Sequence, residues 1–192
     1  SVQRLPSFLA GRWSIALAGV VLVFALLAAY HDSFSVPFFF DDIRAIAENQ
    51  TIRHLWPLGP VISPPAGGLT VSGRPLVNLS LALNYALGGT AVWGYHALNL
   101  AVHILASLIL LGIVRRTLLL NPALRHRFGA AALPLALAVS LLWALHPLQT
   151  ESVTYVVQRA ESLMGLFYLL TLYAFIRGTQ SGAVGWYLLA TG

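Results

Sequence analysis

The length of its apolar runs constrains this chain more than any single residue does. A helix needs roughly 20 consecutive apolar residues to cross the hydrocarbon core of a bilayer. Runs of about that length occupy residues 13–30, 95–114, 129–145 and 151–176, and a fifth begins at Val184 and reaches Gly192. The second stops at Arg115-Arg116, the third at His146-Pro147 and the fourth at Arg177. The predicted class is therefore all-α, a polytopic membrane helix bundle with a long outer loop over residues 31–94. Composition agrees, since 58% of the 192 residues are hydrophobic and only 9% are charged, with a mean hydropathy of +0.77. These values belong to a membrane protein rather than a soluble domain. Cysteine is absent, which excludes a disulfide framework and a cysteine metal site.

The net charge of +5 comes entirely from arginine, because no lysine occurs. The arginines sit at the ends of apolar runs, which reads as topology rather than nucleic-acid binding. Arg4, Arg12, Arg115, Arg116, Arg125, Arg127 and Arg177 fall on one side, which the positive-inside rule makes cytoplasmic, with the N-terminus. The first run lacks a small-residue cleavage site and reads as an anchored helix. Arginine without lysine fits the codon bias of a GC-rich bacterium, so a bacterial inner membrane is expected. Arg44, Arg53 and Arg74 fall on the outer side, against the trend. They share the outer loop with Asp32, Asp41, Asp42 and Glu48, so they read as site or pairing residues.

The outer loop has its own organisation. Pro57, Pro60, Pro64, Pro65, Gly67, Gly68, Gly73 and Pro75 mark an irregular stretch. Residues 76–88 are too short to span, and Gly88-Gly89 ends them. They are predicted to form a helix along the membrane surface. Residues 42–53 are predicted to form a second short surface helix.

Asp41-Asp42 is the first candidate for chemistry. Charge near a membrane is costly and marks a site or a pathway. Neighbouring acids repel, which raises the proton affinity of one of them and suits acid/base work. The alternative is that both lie among headgroups and do nothing. In the second run His96, Asn99, His103 and Ser107 share a helical face, turned toward a ligand or toward neighbouring helices. No His-x3-His or His-Glu-x-x-His spacing occurs, so these histidines are not expected to hold a metal. In the fourth run, read as one helix, Glu151, Tyr155, Gln158 and Ser162 share a face flanked by Arg159 and Glu161. A guanidinium inside a span needs an anion, either a phosphate or a carboxylate such as Glu161.

Several strings occur together and in order: Phe40–Ile46 (FDDIRAI), Gly73–Leu76 (GRPL), Asn84–Gly89 (NYALGG), Trp93–Asn99 (WGYHALN) with His103, His146–Val153 (HPLQTESV) and Gln158–Glu161 (QRAE). Over residues 13–177 the chain resembles the transmembrane and tetratricopeptide-repeat O-mannosyltransferases and their bacterial relatives. The resemblance implies the N-terminal membrane part of a glycosyltransferase-C fold. It also implies transfer of a sugar, mannose, from a polyprenyl-phosphate lipid to a protein hydroxyl on the outer side. Asp41 and Asp42 match the catalytic acid motif, one of them acting as general base. Arg74, Arg159, His96 and His146 match the donor-phosphate positions, supported by Arg44, Glu151 and Glu161. No cofactor is called for, and the need for a divalent metal is left open. The expected partners are the lipid donor, a protein acceptor and the membrane, with no nucleic acid. The family continues into more helices and a repeat domain of about 34-residue units, so a further segment or chain is expected to complete the bundle. A non-catalytic subunit of a larger membrane assembly, or a transporter fragment with an intramembrane ion pair, stands as the alternative. Asp41 discriminates, since an enzyme places it toward a cavity shared with Arg74 and Arg159.

Overall fold

The computed structural model describes residues 11–64 and 70–191. Arg4, Pro65, Gly67 and Gly68, which figured in the expectations above, lie outside the described residues. The described chain is helical, with no β-strand. Its α-helices are α1 (Arg12–Ala29), α2 (Leu58–Ile62), α3 (Pro75–Gly88), α4 (Val92–Leu120), α5 (Pro122–Phe128), α6 (Ala132–Ala144), α7 (Thr150–Thr154), α8 (Arg159–Ser181) and α9 (Val184–Thr191). Among the described residues, four segments are long and apolar enough to cross a membrane: Arg12–Ala29, Val92–Leu120, Pro122–Ala144 and Val156–Ser181. The all-α, polytopic class expected from the sequence is what the structure has.

Local chemistry sets the helix ends. α4 continues past Arg115-Arg116 because Leu118, Leu119 and Leu120 carry on the apolar run. It ends before Asn121-Pro122, since a residue preceding proline avoids the helical region. Asn121 then caps α5, its side-chain oxygen accepting the N–H groups of Ala123 and Leu124 at 3.0 and 3.2 Å. α3 opens on Pro75, where a missing N–H removes nothing the helix needs. It runs 14 residues, about 21 Å at 1.5 Å per residue, too short to cross. The predicted helix over 42–53 is instead two short turns. These are an i→i−5 turn over Ile43–Ala47 and a 3₁₀ turn over Gln50–Ile52.

The fourth apolar run requires a correction. It is not one helix from Glu151. α7 ends at Thr154, Tyr155 is extended (φ −106°, ψ 109°), a 3₁₀ turn covers Val156–Gln158, and α8 starts at Arg159. Glu151, Tyr155, Gln158 and Ser162 therefore do not share one helical face. Val153, Thr154, Val156 and Val157 are β-branched, which weakens the helix here. A carboxylate from another segment takes up the N–H of Val157 that the break frees.

The chain forms two compact units. Among the described residues, one takes in 11–28, 104–146 and 165–191. Here α4 and α8 approach closely. A methyl group added to Gly112 would lie 2.7 Å from the Tyr173 ring. Arg116 sits over that ring and bonds Gln180 at 2.5 Å.

The second unit takes in Ala29–His103 and Pro147–Met164. Ile46, Ile52, Val61, Val71, Leu81 and Val156 are buried together, so the outer loop packs a hydrophobic core around the start of the fourth apolar run. A closed polar network pins that core. Asn49 Nδ2 donates to Asn78 Oδ1 at 3.0 Å. Asn78 Nδ2 donates to Thr51 Oγ1 and the Val61 carbonyl at 2.9 and 2.8 Å. Every member has a partner, the condition under which a buried network rigidifies a fold. Arg53 closes the i→i−5 turn, donating to the carbonyls of Ile46 and Ala47 and stacking over Tyr85 at 4.4 Å. That accounts for one outer-side arginine as a pairing residue.

Candidate functional site

The acid pair sits on a contorted backbone. Phe40 has φ 48°, a left-handed conformation that is strained for a large side chain. A tight turn follows, with Asp42 N–H on Phe39 O at 3.0 Å and Ile43 N–H on Phe40 O at 3.2 Å. The i→i−5 turn of Ile43–Ala47 comes next, closed by Glu48 N–H on Ile43 O at 2.9 Å. Strained residues and π-type turns both concentrate at functional sites. The geometry separates the two acids. Asp41 is exposed, whereas Asp42 is 0% exposed.

Asp42 caps the break in the fourth run. Its Oδ1 accepts the Val157 N–H at 2.9 Å, while its Oδ2 is buried without a partner. Burial pushes the Asp42 carboxyl above its ordinary value, and the Val157 N–H and the nearby His96 pull the other way. A carboxyl raised in the fold contributes stability that is present below its unfolded value and lost as pH rises through the folded one. The second unit is therefore expected to be more stable at mildly acidic than at neutral pH. Asp42→Asn, which keeps a side-chain oxygen for Val157, should flatten that dependence in thermal unfolding across pH 4 to 8.

Asp41 is held from the other side. Its backbone N–H donates to the Tyr155 hydroxyl at 3.2 Å. The Tyr155 ring stacks on Phe39, centroids 4.7 Å apart.

Arg159, at the start of α8, is 0% exposed. Its Nε donates to Asn99 Oδ1 at 2.7 Å, one terminal nitrogen to Ser80 Oγ at 3.2 Å, and the other to the Tyr95 carbonyl at 2.9 Å. The guanidinium joins α3, α4 and α8 through neutral acceptors. A cation at a helix N-terminus opposes the dipole, so these acceptors are what hold it there. His96 is likewise 0% exposed. Its ring lies between the Val36 carbonyl at 2.9 Å and the Val153 carbonyl at 3.2 Å. Asn99 and His103 of the predicted stripe are buried too. The expectation that Arg159 and His96 present donors to a phosphate thus meets a different geometry, with both turned into the unit's interior.

Arg74 is open. It pairs with Glu161 at 3.6 Å, each side chain about half exposed, and also donates to the Thr70 carbonyl at 3.2 Å. Glu161, the carboxylate alternative to a phosphate for Arg159, pairs with Arg74 instead. Residues 155–161 form the spine of the site. Tyr155 meets Asp41, Val157 meets Asp42, Arg159 meets α3 and α4, and Glu161 meets Arg74. The structure thus assembles Asp41, Asp42, Arg74, His96, Arg159 and Glu161 in the second unit. Arg44 and Glu151 are exposed on its surface, and His146 falls in the first unit, exposed at the end of α6. Tyr155 and Ser80 were not among the expected site residues. Only Tyr155 carried a signal, since it lies between the HPLQTESV and QRAE strings. Among the described residues, no cluster of three or more His, Asp or Glu is placed to hold a metal ion.

Comparison with known proteins points one way. Protein O-mannosyl-transferase TMTC2 of Mus musculus is 33% identical over 177 residues, covering 84% of this chain and 19% of the relative. Protein O-mannosyl-transferase TMTC3 of Homo sapiens is 32% identical over 164 residues, covering 82% and 16%. Protein O-mannosyl-transferase TMTC4 of Mus musculus is 32% identical over 182 residues, covering 88% and 24%. The chain spans about a fifth of the length of the curated relatives it matches. No family model matches it, and no solved structure does.

Proposed function

We propose that this chain, whose curated homologues are protein O-mannosyl-transferases, carries the reacting site of a membrane glycosyltransferase. That enzyme moves mannose from a polyprenyl-phosphate lipid to a protein hydroxyl. One observation carries the reading: residues 155–161 tie an exposed acid, Asp41, and an accessible guanidinium, Arg74, into one compact unit. The chemistry needs both. Asp41 takes the proton as the acceptor oxygen attacks the sugar C1. The C1–oxygen bond to the lipid phosphate breaks, and the phosphate leaves with the electron pair, its charge met by a guanidinium. Arg74 is given the phosphate because its fork is partly open to solvent and its pair with Glu161 is a loose surface contact. Arg159 and His96 hold the backbone on which Asp41 and Arg74 are mounted.

Kinetics of the intact enzyme test this. With a polyprenyl-phosphate mannose and a serine- or threonine-bearing acceptor, Arg74→Ala should raise the donor KM by about tenfold or more, as expected for a lost bond to a charged group. A wild-type donor KM in that variant, or transfer from a nucleoside-diphosphate sugar instead, would refute the assignment.

The proposed site faces the outer side of a bacterial inner membrane. The N-terminus and the arginine-rich link around Arg115, Arg116, Arg125 and Arg127 lie on the cytoplasmic side. These 192 residues contain no cysteine, so a single cysteine introduced among them reports its own side once any elsewhere in the enzyme has been replaced. Pro60→Cys and Ala123→Cys should react with an impermeant maleimide from opposite sides of the membrane. Labelling from the same side would overturn the orientation.

A further inference from the structure

We infer that Tyr155 is a positioning residue for Asp41, its phenolic hydroxyl anchoring the backbone that carries the carboxylate so that the acid stands where transfer requires it. The inference rests on the reading of Asp41 as the base and extends it to a residue 114 positions away. The hydroxyl accepts the Asp41 backbone N–H at 3.2 Å. That bond, with the stacked ring behind it, fixes the main chain from which the Asp41 side chain projects. An acid on an unanchored loop would shift with its backbone, and a displacement of about 1 Å takes the carboxylate out of line with the incoming hydroxyl.

The ring has little freedom to follow anything but Asp41. It stacks on Phe39 with the planes 21° apart. Its backbone is held on both sides, by Tyr155 N–H on the Glu151 carbonyl at 3.0 Å and by Val157 N–H on Asp42 at 2.9 Å. The same stitches explain how Phe40 tolerates its left-handed backbone. Phe39 is fixed by Tyr155 on one side and Asp42 by Val157 on the other, so the residues between must turn as they do. A helix running unbroken from Glu151 would deny Asp42 the Val157 N–H, which is a functional reason for the break.

The test uses the intact enzyme. Tyr155→Phe keeps the stacked ring and removes only the hydroxyl. It should lower kcat by about tenfold or more, leave the donor KM within about twofold, and leave the unfolding midpoint unchanged, the signature of lost orientation. Tyr155→Leu should show the same kcat loss with a lower midpoint. Asp41→Asn/Tyr155→Phe should be no slower than Asp41→Asn alone, since both act through one carboxylate. Wild-type kcat in Tyr155→Phe, with Asp41→Asn inactive, would overturn the positioning role and leave the base assignment standing. So would a kcat loss that disappears once activity is normalised to folded protein. Wild-type activity in Asp41→Asn would remove the underlying reading itself.

Discussion

Arg159→Ala should destabilise the protein by about 3–5 kcal/mol, among the largest effects of any single substitution in the chain. Arg159 is the largest fully buried side chain, so truncation leaves a cavity where α3, α4 and α8 meet. It also strips Asn99 Oδ1 of its partner, and an orphaned buried acceptor costs about 1–3 kcal/mol. Arg159→Lys should fare little better. A point charge cannot reproduce a fork that reaches Asn99, Ser80 and Tyr95 at once, and the charge stays buried. Equilibrium unfolding of the detergent-solubilised protein measures both. A lysine variant with wild-type stability and a raised donor KM would instead place the phosphate on Arg159.

Asp41→Asn should reduce transfer by about 10²–10⁴-fold, the usual worth of a positioned general base. The amide has nearly the carboxylate's shape but cannot take the acceptor proton. Asp41 is exposed, and the bond that links it to Tyr155 comes from its backbone, so the fold should survive and the lipid donor should still bind. Asp42 plays the opposite part. Its carboxylate is sealed from substrate and spent on the Val157 N–H. Asp42→Asn should therefore keep much of the activity, while Asp42→Leu, which orphans that N–H, should lose stability.

The membrane class was legible because hydrocarbon demands long apolar runs, and four segments among the described residues are long and apolar enough to cross. α3 was legible from its length and double-glycine end, though its start at Pro75 was assigned to the preceding loop. The break at Tyr155 was not. No proline or glycine marks it; it depends on a carboxylate 115 residues away, and a local pattern cannot encode a distant partner. The same blindness applies at Arg159. An arginine in an apolar run reads as a cation seeking an anion, yet the fold surrounds it with an amide, a hydroxyl and a carbonyl. Which of two adjacent acids faces solvent was equally hidden, because a single left-handed residue, Phe40, decides it.

Sugar transfer by Asp41→Asn and Asp42→Asn, assayed side by side at matched amounts of folded intact enzyme, tests the division of labour most directly. On that division the first loses transfer by at least about a hundredfold with unchanged donor binding, while the second stays within about tenfold of wild type, as for a change that keeps the cap. Wild-type transfer by Asp41→Asn, with loss confined to Asp42→Asn, would contradict it.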